Sequence, residues 1–179
     1  MVPFSVHVLK SSLVRTWGAF FGRYGSFTPA QIAAIPPLLA GENVLLCAAT
    51  ASGKTEAALA PLIEHYLPPA RPIPHLTLLY LLPTRALIHD LQNRLAVPLD
   101  VLRVSCAVKT HDFNSFDPKR PADILLTTPE SLDSLLSAHP RALVDVRAVV
   151  IDEIHVFDGT VRGDQMRVVL NRLRQVRVH

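Results

Sequence analysis

Five apolar runs bounded by turn residues punctuate the chain: Val44–Ala48, Leu76–Leu82, Val101–Val108, Ile124–Thr127 and Val146–Ile151. They lack the polar alternation of a half-solvated strand, so they read as parallel strands covered on both faces. Between them lie helix-like segments at Lys54–Tyr66, Thr84–Ala96 and Pro129–Ala138, with a last one after Val161. Strands alternating with helices predict an α/β fold, three layers α/β/α around a mainly parallel sheet. In the last helix Met166, Val169, Leu170 and Leu173 repeat at the spacing of one buried stripe. The arginines of that end, Arg162, Arg167, Arg172, Arg174 and Arg177, read as its solvated face.

A chain of 179 residues predicts one domain, 1–179, with 1–28 as an N-terminal extension. A hydrophobic content of 49% excludes a disordered chain. No apolar run approaches the roughly 20 residues of a membrane span, and the N-terminus has no uninterrupted apolar core of a signal peptide. Cys47 and Cys106 lie inside apolar runs without metal-ligand spacing, which predicts two buried thiols in a reducing, cytoplasmic setting. The net charge of +3 permits a polyanionic partner. Pro68-Pro69, Pro72 and Pro74 mark one exposed connection, and Pro118 and Pro121 another. Pro36-Pro37 should bend or end the helix that begins near Pro29.

Two motifs carry chemistry. The stretch Cys47-Ala48-Ala49-Thr50-Ala51-Ser52-Gly53-Lys54-Thr55-Glu56 ends as a phosphate-binding loop does, although Ala48 stands where the strict pattern has glycine. A helix starting at Gly-Lys-Thr offers free N–H groups and the positive end of its dipole to phosphate oxygens. Lys54 would reach the outer phosphates and the Thr55 hydroxyl would hold Mg²⁺. The second motif, Ala148-Val149-Val150-Ile151-Asp152-Glu153-Ile154-His155, delivers two adjacent carboxylates at a strand's C-terminal end. One carboxylate can hold a metal through its water shell while its neighbour takes a proton from attacking water.

With these motifs the chain resembles the first RecA-like, P-loop NTPase domain of superfamily 2 helicases, the DEAD/DEAH-box group. In that group the first loop position is usually alanine, as Ala48 is, whereas Ala51 replaces the usual glycine. The resemblance implies that Ala49, Thr50, Ala51, Ser52, Gly53, Lys54 and Thr55 cradle ATP, with Thr55 and Asp152 on Mg²⁺ and Glu153 activating water. Phe27-Thr28-Pro29-Ala30-Gln31 is similar to the Q motif, in which Gln31 would read the adenine edge. Pro83-Thr84-Arg85-Ala86-Leu87 is similar to motif Ia, with Arg85 meeting a nucleic-acid phosphate. Thr127-Thr128-Pro129-Glu130-Ser131-Leu132 is similar to motif Ib, which implies that Thr128, Pro129 and Glu130 lie along the nucleic-acid backbone. A plain helix cap at Thr128 is compatible with that role. Lys109-Thr110-His111-Asp112 falls where relatives place a turn on the strand path, Thr110 being the contact, and His155 would couple the ATP site to a later motif. Thr-Thr-Pro-Glu-Ser-Leu together with Asp-Glu-Ile-His leans toward the large helicase-related (Lhr) branch.

The implied function is the ATP-binding half of an ATP-dependent helicase, a hydrolase acting on ATP, whose partners are DNA or RNA and a second RecA-like domain of a longer chain. Motif III and that second domain would follow His179, so the 179 residues read as an excised domain or a truncated product. Alternatives are the motor of a non-unwinding superfamily 2 translocase, or a nucleic-acid adaptor whose nucleotide loop is impaired at Ala51. A small-molecule phosphotransferase would share the loop and an aspartate but has no need of Glu153, Gln31 or the Thr-Pro-Glu-Ser segment.

Overall fold

Every strand of the sheet runs in one direction, and the register between neighbours is even, so four strand ends finish level with one another. The computed structural model describes residues 6–69 and 75–176. These fall into two compact units, divided at residues 71 and 72, with residues 101–103 grouped with the first. Pro72, Pro74 and Arg177 lie outside the described residues.

The first unit is helical. It holds α1 (Val6–Ser12), a π-helical turn at Trp17–Phe21, α2 (Pro29–Leu39) and α3 (Lys54–Tyr66). α2 packs against α3. Glu64 of α3 accepts hydrogen bonds from the backbone N–H groups of Arg15 and Thr16 and from the Thr16 hydroxyl, fixing the incoming segment on this helix. Phe21 and Trp17 each meet Phe27 edge-on at 4.9 Å between ring centroids, which anchors the chain just ahead of α2. Pro36 and Pro37 remain inside α2, which ends soon after, at Leu39.

The second unit carries β1 (Leu78–Leu81), α4 (Arg85–Leu102), β2 (Cys106–Lys109), β3 (Ile124–Thr127), α5 (Pro129–Ala138), β4 (Ala148–Ile151) and α6 (Val161–Val176). The sheet order is β2-β3-β1-β4, parallel throughout. Leu79, Leu81 and Leu125 on one face meet Leu132, Leu135 and Leu136 of α5 and Val169 and Leu173 of α6 in one apolar core. That is the period of two on a strand meeting the period of 3.6 on a helix.

Three expectations need correction. Val44–Ala48 forms no strand: Leu45 is 74% exposed and Cys47 is exposed, so that thiol is not buried. A strand exists only where another backbone answers its N–H and C=O groups, and the first unit, in which this segment lies, holds no strand among its described residues. β4 is not covered on both faces either; it is an edge strand whose residues are all half-buried. Finally, the run Val101–Val108 is divided. The stripe Ile88, Leu91, Leu95, Leu99 carries α4 through Pro98 to Leu102, Arg103 turns the chain at φ +53°, and only Cys106–Lys109 is strand. Cys106 is partly buried there, and desolvation pushes its thiol up to about 12, leaving it unreactive.

Candidate nucleotide and nucleic-acid site

The loop before α3 is held from the Thr28–Gln31 end of α2. Thr28 is the N-cap of α2: its hydroxyl accepts the Gln31 N–H and donates to Ser52 O over 2.8 Å. Gln31 is buried; its Oε1 accepts the Thr28 N–H at 2.9 Å and its Nε2 donates to Gly53 O at 3.3 Å. So the glutamine closes a capping box and grips the loop, a task that the sequence alone did not disclose. Gly53 sits at φ +78°, a conformation strained for any L side chain, and a Cβ there would come 2.1 Å from Gln31 Nε2 and displace that amide. Ala51 takes φ +60°, a left-handed conformation that costs an L-residue about 1–2 kcal/mol. Lys54 folds back so that Nζ donates to Ala48 O (2.9 Å) and Ala49 O (3.0 Å). Ser52 Oγ is buried without a hydrogen-bond partner, Thr55 is buried in the first turn of α3, and Thr50 stands exposed on the loop.

In the second unit the strand ends Leu81, Lys109, Thr127 and Ile151 lie in register. The segments that leave them share the C-terminal edge of the sheet, where parallel sheets bind ligands. Asp152 continues the pairing through its N–H to Leu81 O (2.9 Å). Its Oδ2 accepts the Tyr80 hydroxyl at 2.9 Å and its Oδ1 accepts the Glu153 N–H at 2.9 Å. Glu153 is held at φ +51° and heads a short 3-10 turn, Ile154–Val156. A glutamate kept in this sparsely populated region marks a constrained position. His155 is largely exposed, with Nδ1 3.4 Å from Glu153 Oε2.

Thr84 begins α4, accepting the Leu87 N–H on its hydroxyl, and Arg85 forms an ion pair with Asp112. Asp112 also meets His111 Nδ1 at 2.6 Å, so the arginine is tied to the Thr110–Asp112 turn. Thr110 is buried and braces that turn, its N–H donating to Phe113 O at 2.7 Å. Thr128 caps α5 and Pro129 follows in the first turn. Glu130 accepts from Arg162 Nε at 2.8 Å. Burial raises the Glu130 carboxyl, but hydrogen bonds from Arg162, its own backbone and Thr128, with the Arg162 charge, outweigh this and hold it below its ordinary 4.5.

These residues fit a nucleotide with a hard divalent ion. Lys54 parks its charge on carbonyl oxygens that a phosphate would replace, and the buried Ser52 hydroxyl is orphaned. The Thr55 hydroxyl in the first unit and the Asp152 carboxylate in the second are, each by itself, oxygen donors of the kind Mg²⁺ takes.

The DEAD/DEAH box helicase family model matches residues 28–179. The chain belongs to that family. It is 32% identical over 192 aligned positions to the ATP-dependent helicase Lhr-Core protein 2 of Thermococcus barophilus, covering 96% of this chain and 22% of that protein. It is 37% identical over 161 positions to the ATP-dependent helicase Lhr-Core of Sulfolobus acidocaldarius, covering 80% of this chain and 18% of that one. The Mycobacterium smegmatis helicase Lhr, solved bound to ssDNA and AMP-PNP, superimposes with a TM-score of 0.80 at 32% identity, over 91% of this chain and 23% of its own. The chain thus spans about a fifth of the length of these relatives.

Within this DEAD/DEAH-box domain, two participants escaped the sequence reading. Tyr80 was absorbed into an apolar strand, although its hydroxyl was a signal in the run Leu-Leu-Tyr-Leu-Leu. The arginines of α6 are not simply a solvated face: Arg162 bonds Glu130 and Pro83 O, and Arg172 bonds Asp133 and Ser137.

Proposed function

We propose that this helicase-family domain binds Mg–ATP at the Ala49–Thr55 loop and one nucleic-acid strand along the Thr84, Thr110 and Thr128 edge. The observation that carries the reading is Lys54 Nζ resting on Ala48 O and Ala49 O, a cation held ready beside a helix N-terminus. Lys54 and the loop N–H groups neutralise phosphate charge, Gln31 selects adenine, and Thr55 in the first unit and Asp152 in the second each offer an oxygen to Mg²⁺. Bound Mg²⁺ supplies Lewis acidity toward the phosphate oxygens. Glu153 positions water and takes its proton, with Asp152 kept aimed by Tyr80. Arg85 and the N-termini of α4 and α5 meet backbone phosphates, and His155 links Glu153 to the rest of the motor.

Hydrolysis at a useful rate and strand movement belong to a longer protein. In comparable phosphoryl-transfer enzymes an arginine supplied from elsewhere is worth about 10³–10⁵ in rate. The chain alone should turn over ATP slowly and separate no strands. Joined to a second RecA-like domain, it should hydrolyse ATP faster by orders of magnitude and respond to single-stranded nucleic acid. Glu153→Gln in that longer protein should keep nucleotide binding and abolish turnover; full turnover in the variant would contradict the assignment. The adaptor reading draws on Ala51 at φ +60° and predicts no measurable nucleotide affinity.

A further inference from the structure

Three helices of the sheet unit begin near one guanidinium. Arg162, in the first turn of α6, donates from Nε to Glu130 Oε1 at 2.8 Å and from Nη2 to Pro83 O at 2.9 Å. Glu130 lies in the first turn of α5, and Pro83 precedes Thr84, the cap of α4. The same guanidinium lies over the Phe157 ring, 5.6 Å from its centroid, and Phe157 is buried four residues after Glu153.

The start of α6 is fixed so that Arg162 can reach. Thr160 accepts the Gly163 N–H at 3.1 Å and donates its hydroxyl to Phe157 O at 2.9 Å. Gly163 admits this approach, since a Cβ there would come 2.0 Å from Phe157 O. Phe157, Thr160, Arg162 and Gly163 therefore form one rigid link between the Asp152–Glu153 turn and the starts of α4 and α5. Electrostatics gives the link a second task. Three positive helix ends favour an anion, but Glu130 places a carboxylate among them. Arg162 neutralises that carboxylate, and its planar fork also holds the Pro83 carbonyl in a fixed geometry that the point charge of a lysine does not reproduce.

We infer that Arg162 is a positioning residue for nucleic-acid binding, holding the loops after β1 and β3 in one arrangement and masking Glu130 from the strand's phosphates. The inference rests on the proposed function. It is tested with the 179-residue protein, a fluorescein-labelled single-stranded oligonucleotide in both DNA and RNA versions, and Mg–ADP. Arg162→Ala should weaken oligonucleotide binding at least tenfold while Mg–ADP binding stays within twofold, and Arg162→Lys should recover only part of the loss. In Arg162→Ala/Glu130→Gln the uncovered charge is gone, so some affinity should return despite the second substitution. Arg172→Ala, which breaks an equally anchored pair further along α6, controls for lost stability and should leave oligonucleotide affinity within twofold. Oligonucleotide binding by Arg162→Ala equal to the unmodified protein, or equal losses in Arg172→Ala, would overturn the role of Arg162 alone. An unmodified protein that binds Mg–ADP but neither oligonucleotide overturns the strand-binding reading and this inference with it.

Discussion

Tyr80 Oη donates to Asp152 Oδ2 across neighbouring strands at 2.9 Å, so a buried phenol aims the carboxylate proposed to hold the metal ion. Hydrogen bonds to charged groups are worth about 1.5–3 kcal/mol. Tyr80→Phe should therefore lower unfolding stability by about 1–3 kcal/mol, measured by urea denaturation. It should also weaken nucleotide binding in Mg²⁺ more than in EDTA. An equal effect in both media would separate Tyr80 from the metal.

Gln31 has two tasks that substitution can divide. Gln31→Ala removes the capping box and the hold on Gly53, and should cost about 1 kcal/mol in stability as well as roughly 1–3 kcal/mol in ATP affinity. Gln31→Glu keeps an acceptor for the Thr28 N–H and should preserve more of the stability while losing preference for ATP over GTP. Equal ATP and GTP affinities in the unmodified protein would remove adenine reading from this residue.

Ala51 sits in the left-handed region that glycine occupies freely. Ala51→Gly should relieve about 1 kcal/mol of backbone strain and leave ATP affinity within about tenfold, or ~1.4 kcal/mol. A far larger gain on titration would mean that the native loop is impaired and would favour the adaptor reading.

The Glu130–Arg162 pair predicts a pH dependence of known sign. The folded-state pKa of Glu130 lies below its ordinary 4.5, so the stabilisation is complete above 4.5 and fades as pH falls through the folded value. The difference in unfolding midpoint between the protein and Glu130→Gln should be constant near neutrality and shrink below pH 4.5. A difference that grows on acidification would reverse the sign and refute the pairing.

Local signals were legible where local physics decides. α3 at Lys54–Tyr66, α5 at Pro129–Ala138 and β3 at Ile124–Thr127 stand where periodicity and capping place them. Val44–Ala48 has a strand's composition, but pairing is a property of two segments, and composition names only one. The extension of α4 past Ala96 was written in Leu95 and Leu99, whose helical spacing prevailed over the apolar run that followed. The loop, the carboxylate pair and the capping threonines could be read from motifs. The links between them could not: Glu130 and Arg162 meet across 32 positions, and Tyr80 and Asp152 across 72.

Nucleotide titration of the 179-residue protein, monitored by calorimetry with Mg–ADP and Mg–ATP, tests the central claim most directly when Lys54→Ala is run beside it. Lys54 is the charge that rests on Ala48 O and Ala49 O, and its removal leaves the α3 dipole alone to face the phosphates. The account predicts saturable binding by the unmodified protein that requires Mg²⁺ for full strength. Lys54→Ala should lose at least 1.4 kcal/mol, about tenfold, with unfolding stability little changed. Binding by Lys54→Ala as tight as the unmodified protein's, or no binding by either, would contradict it.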